Sequence, residues 1–168
     1  MITACEINKI RGERLKYNLD AQGANRVSIM LKDARYLDNY FSFDKILLDA
    51  PCSGSGTINL NDKNLNNSFT EELISRSLKA QIALLNKADK ILKTGGELVY
   101  STCSILKEEN ELVLEKFLQN KNYEIVSIDN TITNNIPLLT IKPVETICIM
   151  PTELYEGFFV SKLRKKSK

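Results

Sequence analysis

Apolar positions along this chain recur with two periods, and the two periods take turns. Thr3–Ile7 reads as a short strand, and Lys9–Ala21 as a helix with Ile10, Leu15 and Leu19 on one side and Gln22-Gly23 as its stop. Arg26–Leu31 reads as a second strand and Lys45–Asp49 as a third. The continuous apolar run Ile46-Leu47-Leu48 suits a strand covered on both faces, and it breaks at Pro51, Gly54 and Gly56. A polar, Asn-rich stretch, Asn59–Ser68, precedes the longest helix, for which Ser68 and Thr70 are candidate N-caps and Glu71 and Glu72 suit the positive helix end. Its buried stripe is Leu73, Leu78, Ile82, Leu85 and Leu92, with Gly95-Gly96 as the stop. Glu97–Ser101 follows as a strand, Glu108–Gln119 as an amphipathic helix and Tyr123–Ile128 as a strand. Asn130–Pro143 is weakly periodic and reads as loop, while Glu145–Met150 and Gly157–Lys162 read as a closing antiparallel pair. Strands alternating with helices predict an α/β fold on a parallel sheet.

The 168 residues suit one domain, residues 1–168, with no internal repeat. Hydrophobic residues are 43% and charged residues 26%, a globular balance rather than a disordered one. The net charge of +2 predicts no nucleic-acid partner by itself, and the basic run at residues 162–168 reads as a solvated tail. Histidine is absent, which excludes Ser-His-Asp and Cys-His catalysis and every zinc site built on imidazole. Cys5, Cys52, Cys103 and Cys148 form no CxxC pair, so a zinc ribbon or thioredoxin-type motif is excluded too, and no metal is expected. Scattered single cysteines suit a reducing compartment. No apolar run approaches the roughly 20 residues of a membrane helix, and no signal peptide precedes the first strand, so a cytoplasmic protein is expected.

In an open parallel sheet, ligands sit beyond the carboxyl ends of the strands. Glu6, Asp33, Asp49 and Cys103 each follow or close a strand at that edge. An acid there can accept hydrogen bonds from ribose hydroxyls, although a single Asp after a strand is more often a turn or helix cap. Asp49-Ala50-Pro51-Cys52-Ser53-Gly54-Ser55-Gly56 lacks the lysine of a phosphate loop and the spacing of a nucleophile elbow. It instead delivers an acid, a rigid proline and a thiol to the mouth of a cleft. Val99-Tyr100-Ser101-Thr102-Cys103-Ser104 delivers a second thiol from a strand. Cys5 and Cys148 read as packing residues.

These residues resemble the Sun family of RNA (cytosine-5) methyltransferases. The likeness is carried by DAPCSGSG at Asp49–Gly56, LKTGGELVYSTCS at Leu92–Ser104 and EENE at Glu108–Glu111. Also similar are Glu6–Gly23, Lys32–Arg35 and Glu156–Lys165, so the match runs from about Thr3 to Lys165 and is weakest between Asp129 and Pro143. The resemblance implies a class I, Rossmann-like methyltransferase sheet, parallel with an antiparallel C-terminal pair, that uses S-adenosylmethionine. Glu6, Asp33, Asp49 and Pro51 are then the expected cofactor-binding residues, with Glu6 at the ribose and Asp33 by the adenine. Cys103 matches the family's nucleophile, Cys52 a second thiol that helps release product, and Asp49 the acid at the methyl-transfer site. From the residues alone the choice of attacking thiol stays open, because a Pro-Cys dipeptide such as Pro51-Cys52 carries the nucleophile in DNA cytosine methylases.

The family's first strand and glycine-rich cofactor loop are expected just upstream of Met1, and here they are missing. That strand would lie between Thr3–Ile7 and Lys45–Asp49, so its loss is expected to expose two strand edges. The expected partner is RNA, ribosomal before transfer RNA, reached by base flipping or as a single strand. Arg35, Lys63, Arg76, Lys79 and the C-terminal cluster could track phosphates, although a solvated face is the commoner role of such residues. Readings that compete with a catalytic fragment are half of a split enzyme, completed by an upstream-half chain or a homodimer, and a non-catalytic RNA-binding module. A thiol redox protein using Cys52 and Cys103 is a further one, which needs the two within disulfide reach.

Overall fold

A computed structural model describes residues 2–58 and 69–167; the Asn-rich stretch 59–68, with the candidate cap Ser68 and Lys63, lies outside them. The chain divides into two compact units, Met1–Phe41 and Ser42–Lys168.

The first unit is a strand–helix–strand. Parallel strands β1 (Ile2–Cys5) and β2 (Val27–Met30) pair with each other, and the Glu6 N–H extends the ladder to the Met30 carbonyl at 3.0 Å. Helix α1 (Lys9–Ala21) joins them, with the Asn8 side chain capping it by accepting from the Arg11 N–H. The stop at Gln22-Gly23 is a Schellman motif. Gly23 has φ +68°, its N–H reaches the Asp20 carbonyl, and the Ala24 N–H reaches that of Leu19. The inward face of α1 carries the expected Leu15 and Leu19, both half-buried, together with the buried Gly12, whereas Ile10 is 63% exposed. A Cβ at Gly12 would stand 2.2 Å from Leu31, so the absence of a side chain sets how closely helix and strand approach.

The second unit is a five-stranded sheet of order β3-β4-β7-β5, with β6 also paired to β7. Its strands are β3 (Phe43–Asp49), β4 (Leu92–Thr102), β5 (Tyr123–Val126), β6 (Ile147–Ile149) and β7 (Phe158–Lys165). β3 and β4 run parallel, while β7 is antiparallel to β4, β5 and β6. Helices α2 (Glu71–Ile91) and α3 (Glu111–Leu118) contribute Leu85, Ala88, Val113, Leu114 and Phe117 to a core with Leu98, Tyr100, Phe159 and Leu163. Leu85, Leu98, Tyr100, Phe159 and Leu163 are fully buried, each contributing about 1.5–3 kcal/mol through removal from water. β3 pairs with β4 alone and β1 with β2 alone, so the described strands form two separate sheets.

Three expectations are corrected. Gly95-Gly96 does not stop α2, which ends at Ile91 with Thr70 capping its other end. The glycine pair makes a bulge inside β4, where partners step from Phe43↔Leu92 to Lys45↔Glu97 and Gly95 takes φ +79°. The helix expected over Glu108–Gln119 is a 3-10 turn at Lys107–Glu109 followed by α3, because Asn110 leaves the helical conformation to place its buried amide elsewhere. The basic run is no free tail: Lys162–Lys165 lies in β7, with Leu163 buried in the core. The Lys165 ammonium donates to the Asp89 and Leu92 carbonyls at the end of α2, where the helix dipole favours a cation.

A charge ladder crosses the sheet in register. Lys45, Glu97, Arg164 and Glu124 stand opposite one another on β3, β4, β7 and β5. Glu97 pairs with Lys45, Lys162 and Arg164 at 3.2, 2.8 and 3.2 Å, and hydrogen bonds from Lys162, Arg164 and Lys45 hold its carboxyl down at about 2. Lys166 and Arg164 also pair with Glu124. Lys162, Arg164 and Lys166 are thus engaged by carboxylates of the sheet. No helix among the described residues is long and apolar enough to cross a membrane.

Candidate active site

Two loops leave the carboxyl ends of the parallel neighbours β3 and β4, and the strand register brings them together. Asp49 stands opposite Ser101, whose hydroxyl donates to Asp49 Oδ1 at 3.0 Å. The Ala50 N–H continues the ladder to the Ser101 carbonyl at 2.9 Å. Beyond it Cys52 and Cys103 meet, with 3.2 Å between their sulfurs, and both are free thiols, partly buried. Burial first, and then the hydrogen bond with Cys103, pushes the Cys52 thiol up to about 12, against a lowering by the Gly54 N–H.

The pairing is stitched from several sides. Gly54 turns the first loop at φ +74°. The Gly56 N–H reaches the Cys103 carbonyl at 3.0 Å, the Ser55 and Ser104 hydroxyls lie 2.8 Å apart, and the Ile105 N–H donates to Ser55 Oγ. A third segment joins through the Gly157 N–H, which donates to the Gly56 carbonyl at 2.8 Å. That approach needs two glycines, since a Cβ on Gly56 would stand 2.2 Å from the Gly157 oxygen.

Four fully buried polar residues support the loops. Glu109 accepts from the Ser53 N–H at 2.8 Å and the Ser53 hydroxyl at 2.6 Å. Asn110 accepts from the Thr102 hydroxyl at 2.6 Å and donates to the Ser104 carbonyl at 2.8 Å. Gln81, on α2, donates to the Pro51 carbonyl at 2.9 Å. Tyr100 donates to the Glu109 carbonyl at 2.7 Å, and burial raises its phenol. None of Gln81, Glu109 or Asn110 stood out as a site residue in the sequence. The available signals were a glutamine inside an apolar helical stripe and an acid–asparagine pair at a helix start.

Glu6 and Asp33 belong to the first unit, just past the ends of β1 and β2. Glu6 accepts from the Asn8 N–H and from Arg11 at 2.8 Å, and Asp33 accepts from Arg35, the shortest contact being 2.6 Å. The neighbouring guanidiniums hold both carboxyls below their ordinary values. Arg35, expected to track phosphate, is committed to Asp33. Arg76 and Lys79 are exposed on α2. Cys5 is exposed and donates to the Lys32 carbonyl, so it is not the packing residue expected, whereas Cys148 is buried in the core.

The family described as 16S rRNA methyltransferase RsmB/F matches residues 1–164. The chain belongs to this family. It is 34% identical to the ribosomal RNA small subunit methyltransferase F of Aeromonas salmonicida over 98% of the chain and 35% of that protein. It is 40% identical to a probable ribosomal RNA small subunit methyltransferase B of Coxiella burnetii over 70% of the chain and 28% of that protein. Among solved structures, a methyltransferase homolog from Pyrococcus horikoshii superposes with a TM-score of 0.80 at 32% identity, covering 98% of this chain and 53% of that one. The NSun6 structure from the same organism, solved with SFG, gives 0.79 at 28% identity over 99% and 42%. The Rossmann-like α/β methyltransferase fold and the Sun-family membership expected from the sequence are therefore those of this RsmB/F member. The chain spans about a third of the length of the rRNA methyltransferases it matches.

Proposed function

We propose that this chain carries the reacting groups of an S-adenosylmethionine-dependent RNA (cytosine-5) methyltransferase, acting on ribosomal RNA first and transfer RNA second. The observation that supports it is the thiol pair Cys52–Cys103 at 3.2 Å, beside Asp49, at the carboxyl ends of two parallel strands in an RsmB/F family member.

Carbon 5 of cytosine is too poor a nucleophile to take a methyl group unaided. The Cys103 thiolate adds at carbon 6, forming the carbon–sulfur bond and moving an electron pair into the ring, which makes carbon 5 enamine-like. Asp49, offering a proton at ring nitrogen 3, stabilises that charge. Cys52 remains a thiol because its pKa is pushed up to about 12, so it can donate its S–H across the contact to a Cys103 thiolate. The contact supports Cys103, the residue that matches the family's nucleophile, as the attacking thiol in a chain without histidine. After methylation the carbon 5 proton leaves and the carbon–sulfur bond breaks, with Cys52 assisting release.

The resemblance assigns cofactor contacts within each unit separately: Glu6 and Asp33 follow the ends of β1 and β2 in the first, and in the second Asp49 closes β3 with Pro51 two residues beyond it. Glu6 and Asp33 would accept from the ribose and adenine, and Asp49 and Pro51 would border the transferable group. S-adenosylmethionine would supply an electrophilic methyl. A cytoplasmic, reducing location goes with this reading, since it requires free thiols.

The test is nucleoside mass analysis of ribosomal RNA incubated with the chain and methyl-labelled S-adenosylmethionine. Label in 5-methylcytidine, lost in Cys103→Ser, is expected; label on another base atom or on ribose would refute the reading. A second reading, one half of a two-chain enzyme, is favoured by β3, which among the described residues pairs on one side only, with Leu47 73% exposed. A chain that sediments as a monomer and methylates unaided would refute it.

A further inference from the structure

Cys52 lies between two residues whose backbones are gripped by buried side chains from two different elements. On one side the Gln81 amide of α2 donates to the Pro51 carbonyl at 2.9 Å. On the other, the Glu109 carboxylate takes both the N–H and the hydroxyl of Ser53. Both side chains are fully buried. Gln81 occupies a stripe with Leu85 and Ala88, where the fold asks for no polar side chain, and its Oε1 has no hydrogen-bond partner among the described residues. A buried unsatisfied amide oxygen costs on the order of 1–3 kcal/mol, which a leucine would avoid. Their shared consequence is a fixed Cys52.

We propose that Gln81 and Glu109 are positioning residues that clamp Pro51 and Ser53 and thereby set the Cys52 sulfur against Cys103. The titratable groups around Cys52 are Cys103, Tyr100 and Glu109. Burial is the first cause of the raised Cys52 thiol, and the clamp maintains that burial; the negative charge of Glu109 adds to it in the same direction. Releasing either grip therefore exposes Cys52 and returns it toward an ordinary thiol. This deepens the reading of Cys52 as the release thiol, and its test needs neither RNA nor cofactor, so the two can fail separately.

The experiment is iodoacetamide alkylation of the full chain across pH 7–10, with each cysteine followed by peptide mass mapping, in wild type, Glu109→Gln and Gln81→Leu. Gln81→Leu keeps an apolar side chain in the stripe and serves where Glu109→Gln does not fold. Both variants are expected to alkylate Cys52 about tenfold faster at pH 8. Cys148, buried on β6, stays protected and reports the integrity of the core. An unchanged Cys52 profile in a folded variant overturns the proposal. So does a parallel rise at Cys148, which would make these residues general supports of the fold.

Discussion

The sulfurs of Cys52 and Cys103 stand 3.2 Å apart although 51 residues separate them in the chain. The register of β3 on β4 accounts for this. Asp49 sits opposite Ser101, so the third residue after Asp49 meets the second residue after Ser101. Oxidation should trap the contact. Brief treatment with a small-molecule disulfide such as oxidised glutathione is expected to join the two sulfurs, with loss of two hydrogens to the reagent and protection of both from alkylation. Mass mapping that found mixed disulfides alone would count against the contact.

Asn110 links the end of β4 to the start of α3 through two buried hydrogen bonds. Its replacement by alanine removes both bonds and leaves the buried Thr102 hydroxyl and Ser104 carbonyl only the longer contacts of 3.3 and 3.5 Å between those two residues. A loss of about 1–3 kcal/mol in urea denaturation is expected, from two lost buried hydrogen bonds. A loss below about 0.5 kcal/mol, the range of ordinary surface substitutions, would contradict it.

Gly56→Ala should act on the site as well as on stability. The added methyl meets the Gly157 carbonyl at 2.2 Å, so the loops must part. About 1–3 kcal/mol of destabilisation is expected, of the kind overpacking produces. With it, oxidative joining of Cys52 to Cys103 should slow, since Gly56 also bonds to the Cys103 carbonyl. Unchanged oxidation kinetics would show that the Gly157 segment does not hold the thiols together.

Glu97 gives a pH dependence with a definite sign. Its folded value of about 2 lies below the ordinary 4.5, held there by Lys162, Arg164 and Lys45. A depressed carboxylate contributes stability that is present above the unfolded value and lost as pH falls through the folded one. Glu97→Gln is therefore expected to be less stable than wild type at pH 7 and to approach it between pH 4.5 and about 2. Parallel stability curves for the two proteins over that range would contradict the ladder's role.

Much of this architecture was legible because it rests on period. The order of strands and helices and the caps at Thr70 and Gln22-Gly23 follow from patterns that burial imposes locally. The thiols and Asp49 were legible because strand ends collect them. What escaped depends on contacts distant in sequence. Gln81 and Asn110 sit where local pattern asks for an apolar residue or a continuing helix, and their partners lie 30 and 8 residues away. The basic end of the chain misled for a related reason. Phe159, Ser161 and Leu163 alternate as a strand should, but four neighbouring cations outweighed that alternation until the sheet and α2 supplied their carboxylates.

The most direct measurement is covalent trapping with RNA containing 5-fluorocytosine in the presence of S-adenosylmethionine. Fluorine cannot leave as a proton does, so the carbon–sulfur bond persists and peptide mapping identifies the sulfur. The account predicts an adduct on Cys103, absent in Cys103→Ser. With ordinary RNA, it predicts that Cys52→Ala accumulates the same Cys103 adduct because release is impaired. An adduct on Cys52, or trapping that survives Cys103→Ser, would contradict it.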